Sequence, residues 1–91
     1  MAFVNWTSEA WQDLDAISAY IGARNLPAAE RLSELIYTTA EKLGDHPYIY
    51  REGREPGTRE VVAHPNYIIV YSVAEYTVRI LRVLHAAQQY P

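Results

Sequence analysis

The spacing of apolar residues changes near residue 48, and this change limits the folds open to the chain. Before it, apolar residues recur three and four positions apart, as on one side of an α-helix. After it, β-branched and aromatic residues come in short runs separated by turn residues, as in strands. Helices and strands are thus segregated along a chain of 91 residues, a length that supports one two-layer core. We expect an α+β fold in a single domain over residues 1–91.

The first half of the chain predicts a short strand followed by a helical hairpin. The segment AFVNW alternates enough to form a strand, and Thr7 or Ser8 then offers an N-cap oxygen. A first helix is expected from there to about residue 22, where a glycine ends the pattern. A second helix is expected over about 27–43, after Asn25 as its cap and before a glycine and a proline. Because the connection is short, the two helices should lie antiparallel.

The second half predicts three consecutive strands. The runs TREVVA, YIIVYSV and TVRILRVLH are separated only by HPN and AEY, connections that are short enough only for antiparallel hairpins. The predicted order is therefore β-α-α-β-β-β. We expect the helix hairpin to pack on one face of a small, mainly antiparallel sheet.

Composition excludes several kinds of function. A net charge of −3 argues against binding nucleic acid through phosphate neutralisation. There is no cysteine, so no disulfide, thiolate nucleophile or cysteine metal site is expected. His46, His64 and His85 lack metal-ligand spacing, and we expect neither a metal nor a cofactor. The N-terminal residues lack the pattern of a signal peptide, and no stretch reaches the roughly 18 apolar residues of a membrane span, so we expect a soluble protein. The lack of cysteine makes a cytoplasmic location the default expectation.

Several motifs occur together in a recognisable order. A helix with DLDAISAYI is followed by the turn PGTRE, the strand YIIVY and the strand ILRVLH. In this order and spacing they resemble the RelE/ParE superfamily of bacterial type II toxins, small proteins held inactive by an antitoxin from the same operon. The resemblance covers nearly the whole chain. It implies the fold predicted above and a toxin whose partner is its cognate antitoxin.

The superfamily divides into branches with different targets, and the resemblance implies to which branch this chain belongs. RelE-like members are ribosome-dependent ribonucleases, whereas ParE-like members poison DNA gyrase and cut no RNA. The nuclease positions of the second predicted strand of the sheet fall on Arg59 and Val61, and that of the third falls on Ile68. Beyond the last strand they fall on His85 and the two alanines after it, with Tyr90 as a terminal tyrosine. Most of the cations that would surround a phosphate are absent, which favours the ParE-like branch and a protein that is not itself an enzyme.

The strand pattern and the superfamily register together predict which residues face a partner. Arg59, Ile68 and Arg82 are expected on the sheet face away from the helices, with Arg82 on the same side as Ile80 and Leu84 because strand side chains alternate. Arginines on an otherwise apolar face suit the docking of an antitoxin segment. The alternative is that they form surface ion pairs. The carboxylates that could form these ion pairs belong to Glu55, Glu60 and Glu75.

Other side chains are predicted to have simpler roles. Arg51 and Arg54 lie in the irregular loop YREGREPG and either contact a target or are solvated. His85 is expected to be the polar end of its strand or a partner contact, and Tyr90 is a further candidate contact for the antitoxin or the target. Asp13 and Asp15 are expected on a solvated helix face. The residues predicted to pack beneath the helices are Tyr67, Ile69, Tyr71 and Val73, with Trp6 and Trp11 as further core anchors.

The sequence thus predicts a ParE-like toxin that poisons DNA gyrase and is neutralised by a ParD-like antitoxin. The antitoxin is expected to lay an amphipathic helix in a groove and an extended segment along a sheet edge, and no sequence-specific nucleic acid or membrane binding is expected. One alternative is an mRNA endoribonuclease, with His85 as acid or base, Arg59 and Arg82 on the phosphate, and Tyr90 orienting. The other is an inactive member that only binds its antitoxin.

Overall fold

The computed structural model describes residues 2–88 and confirms the predicted fold, with one added strand. Two helices follow an N-terminal strand and precede four further strands. Their bounds are β1 Phe3–Trp6, α1 Ser8–Gly22, α2 Leu26–Lys42, β2 Arg51–Glu52, β3 Arg59–His64, β4 Tyr67–Ala74 and β5 Thr77–His85. The added strand, β2, lies in the loop that was predicted to be irregular. It forms because Arg51 pairs across the strands with Glu60, both through the backbone and through its guanidinium.

The five strands form one sheet in the order β1-β5-β4-β3-β2. β1 runs parallel to β5, and all other neighbours are antiparallel. The parallel pair is possible because the whole helical hairpin and the other strands intervene between β1 and β5. One register shift interrupts the β4–β5 ladder, where Val70 pairs with Arg82 but Tyr71 pairs with Ile80, so that Leu81 is an extra residue.

Both helices begin at side-chain caps that the sequence predicted. Thr7 Oγ1 accepts a hydrogen bond from the Ala10 N–H at 3.0 Å, and Asn25 Oδ1 accepts one from the Ala28 N–H at 3.1 Å. Each cap satisfies an N–H group that the helix itself leaves unpaired. The Thr7 hydroxyl also donates to the Leu81 carbonyl, which attaches the start of α1 to β5. Neither helix within residues 2–88 is long and apolar enough to cross a bilayer.

The main core lies between the hairpin and one face of the sheet. Ile69 and Tyr71 of β4 are fully buried there, while Tyr67 and Val73 are half-buried against the same cluster, as the alternation predicted. The Tyr71 hydroxyl donates to the Pro47 carbonyl at 2.9 Å, and burial raises the pKa of this phenol. The remaining buried members of the core are Ala10, Leu14, Ile36, Ala40, Leu43, Val61, Val78, Ile80 and Val83.

The prediction that Trp11 is a core anchor is wrong. Its side chain is 42% exposed and its ring stacks on Trp6 at the flank of the hairpin. Consecutive helical residues lie about 100° apart around the axis, so the burial of Ala10 turns Trp11 away from the sheet. Trp6 is only half-buried.

Candidate functional site

A groove of about 960 Å³ opens between the tip of the helical hairpin and one end of the sheet. The sheet contributes the start of β4 and the ends of β3 and β5. Apolar side chains from both helices line it, and polar side chains lie among them. The apolar lining includes Ile17, Ile21, Leu32 and Leu35, and the polar lining includes Tyr20, Arg31, His64 and His85. The combination of an apolar floor and a few polar groups is typical of a binding site.

Three rings cross the sheet end of this groove in one row. His64 of β3 is the cross-strand partner of Tyr67, and Tyr67 is the partner of His85 in β5. The ring centroids of His64 and Tyr67 are 6.0 Å apart, and those of Tyr67 and His85 are 5.4 Å apart. The row places the half-buried imidazole of His64 and the exposed imidazole of His85 on either side of the Tyr67 phenol.

Both imidazoles use the same nitrogen within the protein. His64 Nδ1 accepts from the Asn66 N–H, and His85 Nδ1 accepts from the Ala87 N–H, each at 3.1 Å. A neutral ring whose Nδ1 accepts carries its proton on Nε2. Each histidine therefore offers an Nε2–H donor to a bound partner. No three His, Asp or Glu side chains within residues 2–88 gather as metal ligands would.

The prediction that Arg82 stands free on the sheet face away from the helices, here called the open face, is wrong, because its charge is paired. Its guanidinium forms two hydrogen bonds with the Asp13 carboxylate of α1, Nε to Oδ2 at 2.7 Å and a second nitrogen to Oδ1 at 3.0 Å. These hydrogen bonds raise the pKa of the Arg82 guanidinium. Asp13 Oδ2 also accepts the Val83 N–H at 2.9 Å. The prediction of a solvated Asp13 is therefore wrong, although Asp15 is exposed as expected.

The extra residue at Leu81 explains the error about the faces of β5. Before it, Ile80 points into the core beneath the helices; after it, Leu84 packs on the opposite face. A bulge shifts the alternation by one residue, so Ile80 and Arg82 do not share a face. Because β1 pairs only with Thr77–Ile80, the outer edge of the rest of β5 is left to α1, and Asp13 binds it there.

Arg59 lies on the helix side of the sheet, which corrects the prediction that it faces away. Its cross-strand partner is Tyr71, and Val61 two residues later is buried in the main core. The guanidinium donates to the carbonyls of Tyr48 and Tyr50 at 3.2 and 2.7 Å. Arg59 thus holds the segment before β2 in place and shares no site with His85.

The open face carries a second, small core. Ile68 is there as predicted, but it is buried with Val70 and Leu84 rather than available to a partner. Beside them the carboxylate of Glu60 is 3% exposed and binds Arg51 at 3.0 Å. Its other oxygen accepts the Arg54 backbone N–H at 3.1 Å.

Arg51 and Arg54 are thus not simply solvated, since both bind Glu60. Arg54 also donates from its guanidinium to the carbonyl of Gln88 at 3.2 Å. It therefore connects the loop after β2 with the segment that follows β5. Tyr90, the last predicted site residue, lies outside the described residues.

Sequence reasoning missed the His64–Tyr67–His85 row, although a signal for it was present. Only Pro65 and Asn66 separate His64 from Tyr67, and a two-residue hairpin loop makes the flanking residues cross-strand partners. The buried Glu60 and the Asp13 contact had no such local signal.

Comparison with known proteins identifies the family. The sequence profile of the family described as "ParE toxin of type II toxin-antitoxin system, parDE" matches residues 4–90. The chain is 42% identical over 89 residues to a putative toxin, Y4kP, of Sinorhizobium fredii, an alignment covering 97% of this chain and 92% of the relative. It is 41% identical over 90 residues to Toxin RelE2 of Caulobacter vibrioides, covering 97% and 99%.

A solved structure gives the same fold. The chromosomal ParDE toxin–antitoxin system from P. aeruginosa contains a chain that superposes with a TM-score of 0.82 at 24% identity, covering 93% of this chain and 96% of that one. The family profile spans almost the entire chain, and the two relatives are both named as toxins. This chain therefore belongs to the ParE toxin family of type II toxin–antitoxin systems, within the RelE/ParE superfamily.

Proposed function

We propose that this protein is a ParE-like toxin that poisons DNA gyrase, cuts no nucleic acid itself, and is neutralised by a ParD-like antitoxin. One observation carries the proposal. Within residues 2–88, the residues that a RelE-like ribonuclease would gather around a phosphate lie in separate places, and both arginines among them, Arg59 and Arg82, are engaged within the protein.

The separation can be followed along β4. Arg59 is opposite Tyr71 and His85 is opposite Tyr67, so the two positions are four residues, or about 13 Å, apart along the strand. Arg82 is nearer to His85, but its charge is paired with Asp13. Stabilising a phosphate as its negative charge grows requires cations in contact with it. This arrangement supports a protein that acts by binding.

The groove supports the antitoxin half of the proposal. Its apolar floor and polar donors suit an amphipathic helix, whose apolar side would enter the groove while carboxylates or carbonyls meet His64, His85 and Arg31. Of the predicted contacts we retain two. His85 lines the groove and is proposed as an antitoxin contact, and Arg51, whose side chain is 62% exposed, is proposed as a target contact.

Paired assays test the target. The purified toxin should inhibit supercoiling by gyrase and increase the amount of cleaved plasmid, and it should leave mRNA on translating ribosomes intact. Adding the protein encoded by the neighbouring reading frame should restore supercoiling. If gyrase is unaffected and expression of the toxin does not arrest growth, the proposal is wrong and the chain is an inactive antitoxin-binding member.

A matched pair of variants tests the groove. Leu35 lines the groove, whereas Leu26 does not, and both are exposed leucines of α2. Leu35→Glu should weaken antitoxin binding by about 30-fold, the size of a loss at an interface hot spot, and Leu26→Glu should not. Equal effects of the two variants would contradict docking in the groove. Calorimetric titration with the antitoxin gives the dissociation constants of both variants.

The ribonuclease remains a second candidate because of the His64–Tyr67–His85 row. Two imidazoles near one site are groups able to remove a proton from a 2′-hydroxyl and return one to the leaving oxygen. Under this candidate, mRNA cleavage would appear in the ribosome assay and would be lost in both His85→Ala and His64→Ala. Cleavage with that dependence would refute the gyrase proposal.

A further inference from the structure

A stack of three aromatic rings lies where β1, α1 and α2 meet. The Trp6 and Trp11 rings are 4.3 Å apart between centroids and 15° from parallel. The Tyr37 ring lies 5.9 Å from Trp6 and 6.2 Å from Trp11, and its plane is within 22° of both. Trp11 and Tyr37 are 42% and 44% exposed. These three residues, here called the aromatic stack, therefore offer open ring surface to the solvent.

Two carboxylates border the aromatic stack. Glu34, Tyr37 and Glu41 follow one another at spacings of three and four, so they share one face of α2, and all three are exposed. Glu41 Oε2 accepts a hydrogen bond from Trp6 Nε1 at 3.3 Å, which places one carboxylate at the rim of the rings. Among residues 2–88, neither Glu34 nor Glu41 forms an ion pair with a lysine or arginine. Neither carboxylate beside the rings is thus held in an ion pair among these residues.

The aromatic stack is separate from the groove. On α2 the lining of the groove includes Leu32 and Leu35, and Tyr37 lies about 200° around the helix from Leu35. Trp6 and Tyr37 do not line the groove. A partner could occupy this surface while the groove is filled.

We propose that the aromatic stack docks an arginine-bearing basic segment of a partner protein. A guanidinium is planar and weakly hydrated, so it can lie on an indole or phenol ring while its N–H groups bind a neighbouring carboxylate. The stack and its two glutamates supply both halves of that recognition. DNA or RNA fits less well, because its phosphates would face Glu34 and Glu41. A symmetric dimer through this surface would bring the same carboxylates together.

Intrinsic fluorescence can test the proposal on the intact chain. The chain has two tryptophans, and both belong to the aromatic stack. Hexa-arginine and hexa-lysine, titrated at the same ionic strength, should each change the emission. Hexa-arginine should bind about threefold more tightly, the ratio expected for stacking at an exposed site. Equal affinity for the two peptides would overturn the proposal, because it would mean attraction by net charge alone.

Charge-matched variants locate the binding. Glu34→Gln with Glu41→Gln should weaken hexa-arginine binding by about tenfold. Glu52→Gln with Glu75→Gln removes the same charge elsewhere and should leave the affinity within about twofold. Similar losses in the two double variants would overturn the proposal.

A ring variant completes the test and guards against misfolding. Tyr37→Ser keeps both tryptophans as reporters and should weaken hexa-arginine binding by about fivefold, with far-UV circular dichroism unchanged. An unchanged affinity would overturn the proposal. So would emission that depends on toxin concentration without peptide, which would indicate self-association, or tighter binding of oligo-dT than of hexa-arginine.

Discussion

Removing Asp13 should cost much more stability than removing Arg82, although the two form one ion pair. Asp13→Ala breaks the pair and also leaves the Val83 N–H without its acceptor, at a residue that is 2% exposed. A buried N–H without a partner costs about 1–3 kcal/mol. The ion pair adds about 1 kcal/mol or less, because the Arg82 side chain is 42% exposed and solvent screens it. We expect a loss of about 3 kcal/mol for Asp13→Ala and about 1 kcal/mol for Arg82→Ala.

Asp13→Asn separates the two contributions. The amide keeps an oxygen for the Val83 N–H but loses the charge that pairs with Arg82, so it should resemble Arg82→Ala rather than Asp13→Ala. Urea denaturation followed by far-UV circular dichroism gives the three free energies of unfolding. In thermal denaturation, each 1 kcal/mol corresponds to roughly 4–8 °C for a domain of this size. If Arg82→Ala or Asp13→Asn destabilises as much as Asp13→Ala, the capping of the Val83 N–H is not the main contribution.

Three further outcomes follow from single contacts. Burial raises the pKa of Tyr71 above its unfolded value of about 10, so the folded state holds the proton more tightly and the free energy of unfolding falls as pH rises above about 10. Tyr71→Phe should flatten that fall, and at pH 8 it should cost about 1 kcal/mol of stability because the hydrogen bond to the Pro47 carbonyl is lost. Urea denaturation at several pH values would show both effects. Glu60→Ala removes the acceptor of two arginines and should speed tryptic cleavage of the loop after β2, as timed digestion and mass spectrometry would detect. Gly44→Ala would place a Cβ 2.5 Å from the Ala2 carbonyl oxygen and should lower the melting temperature by roughly 5–15 °C, whereas a variant with an unchanged melting temperature would contradict this close approach.

Features governed by neighbouring residues could be predicted from the sequence. Thr7 and Asn25 begin the helices at the expected positions, because a cap needs only a side-chain oxygen and the three residues after it. The core face of β4 was predicted correctly, since alternation is undisturbed between Tyr67 and Tyr71.

Features that depend on distant residues could not be predicted from the sequence. Asp13 and Arg82 are 69 positions apart, and nothing in either neighbourhood indicates the contact. The bulge at Leu81 reversed the predicted face of Ile80, and no glycine or proline marks it. Arg59 was assigned the wrong face because alternation relates it to Val61 but does not say which side the helices cover.

The pairing of β1 with β5 also affects when the protein can fold. Phe3 is joined to Thr77, so the first strand must wait for the last before it has a neighbour in the sheet. Closing so long a loop is entropically costly and slows folding. At synthesis rates of about 5–20 residues per second, the nascent chain spends several seconds without its final strand. Synthesis of β5 therefore limits the appearance of the complete sheet, and a chain truncated before β5 should leave β1 and one edge of β4 without partners.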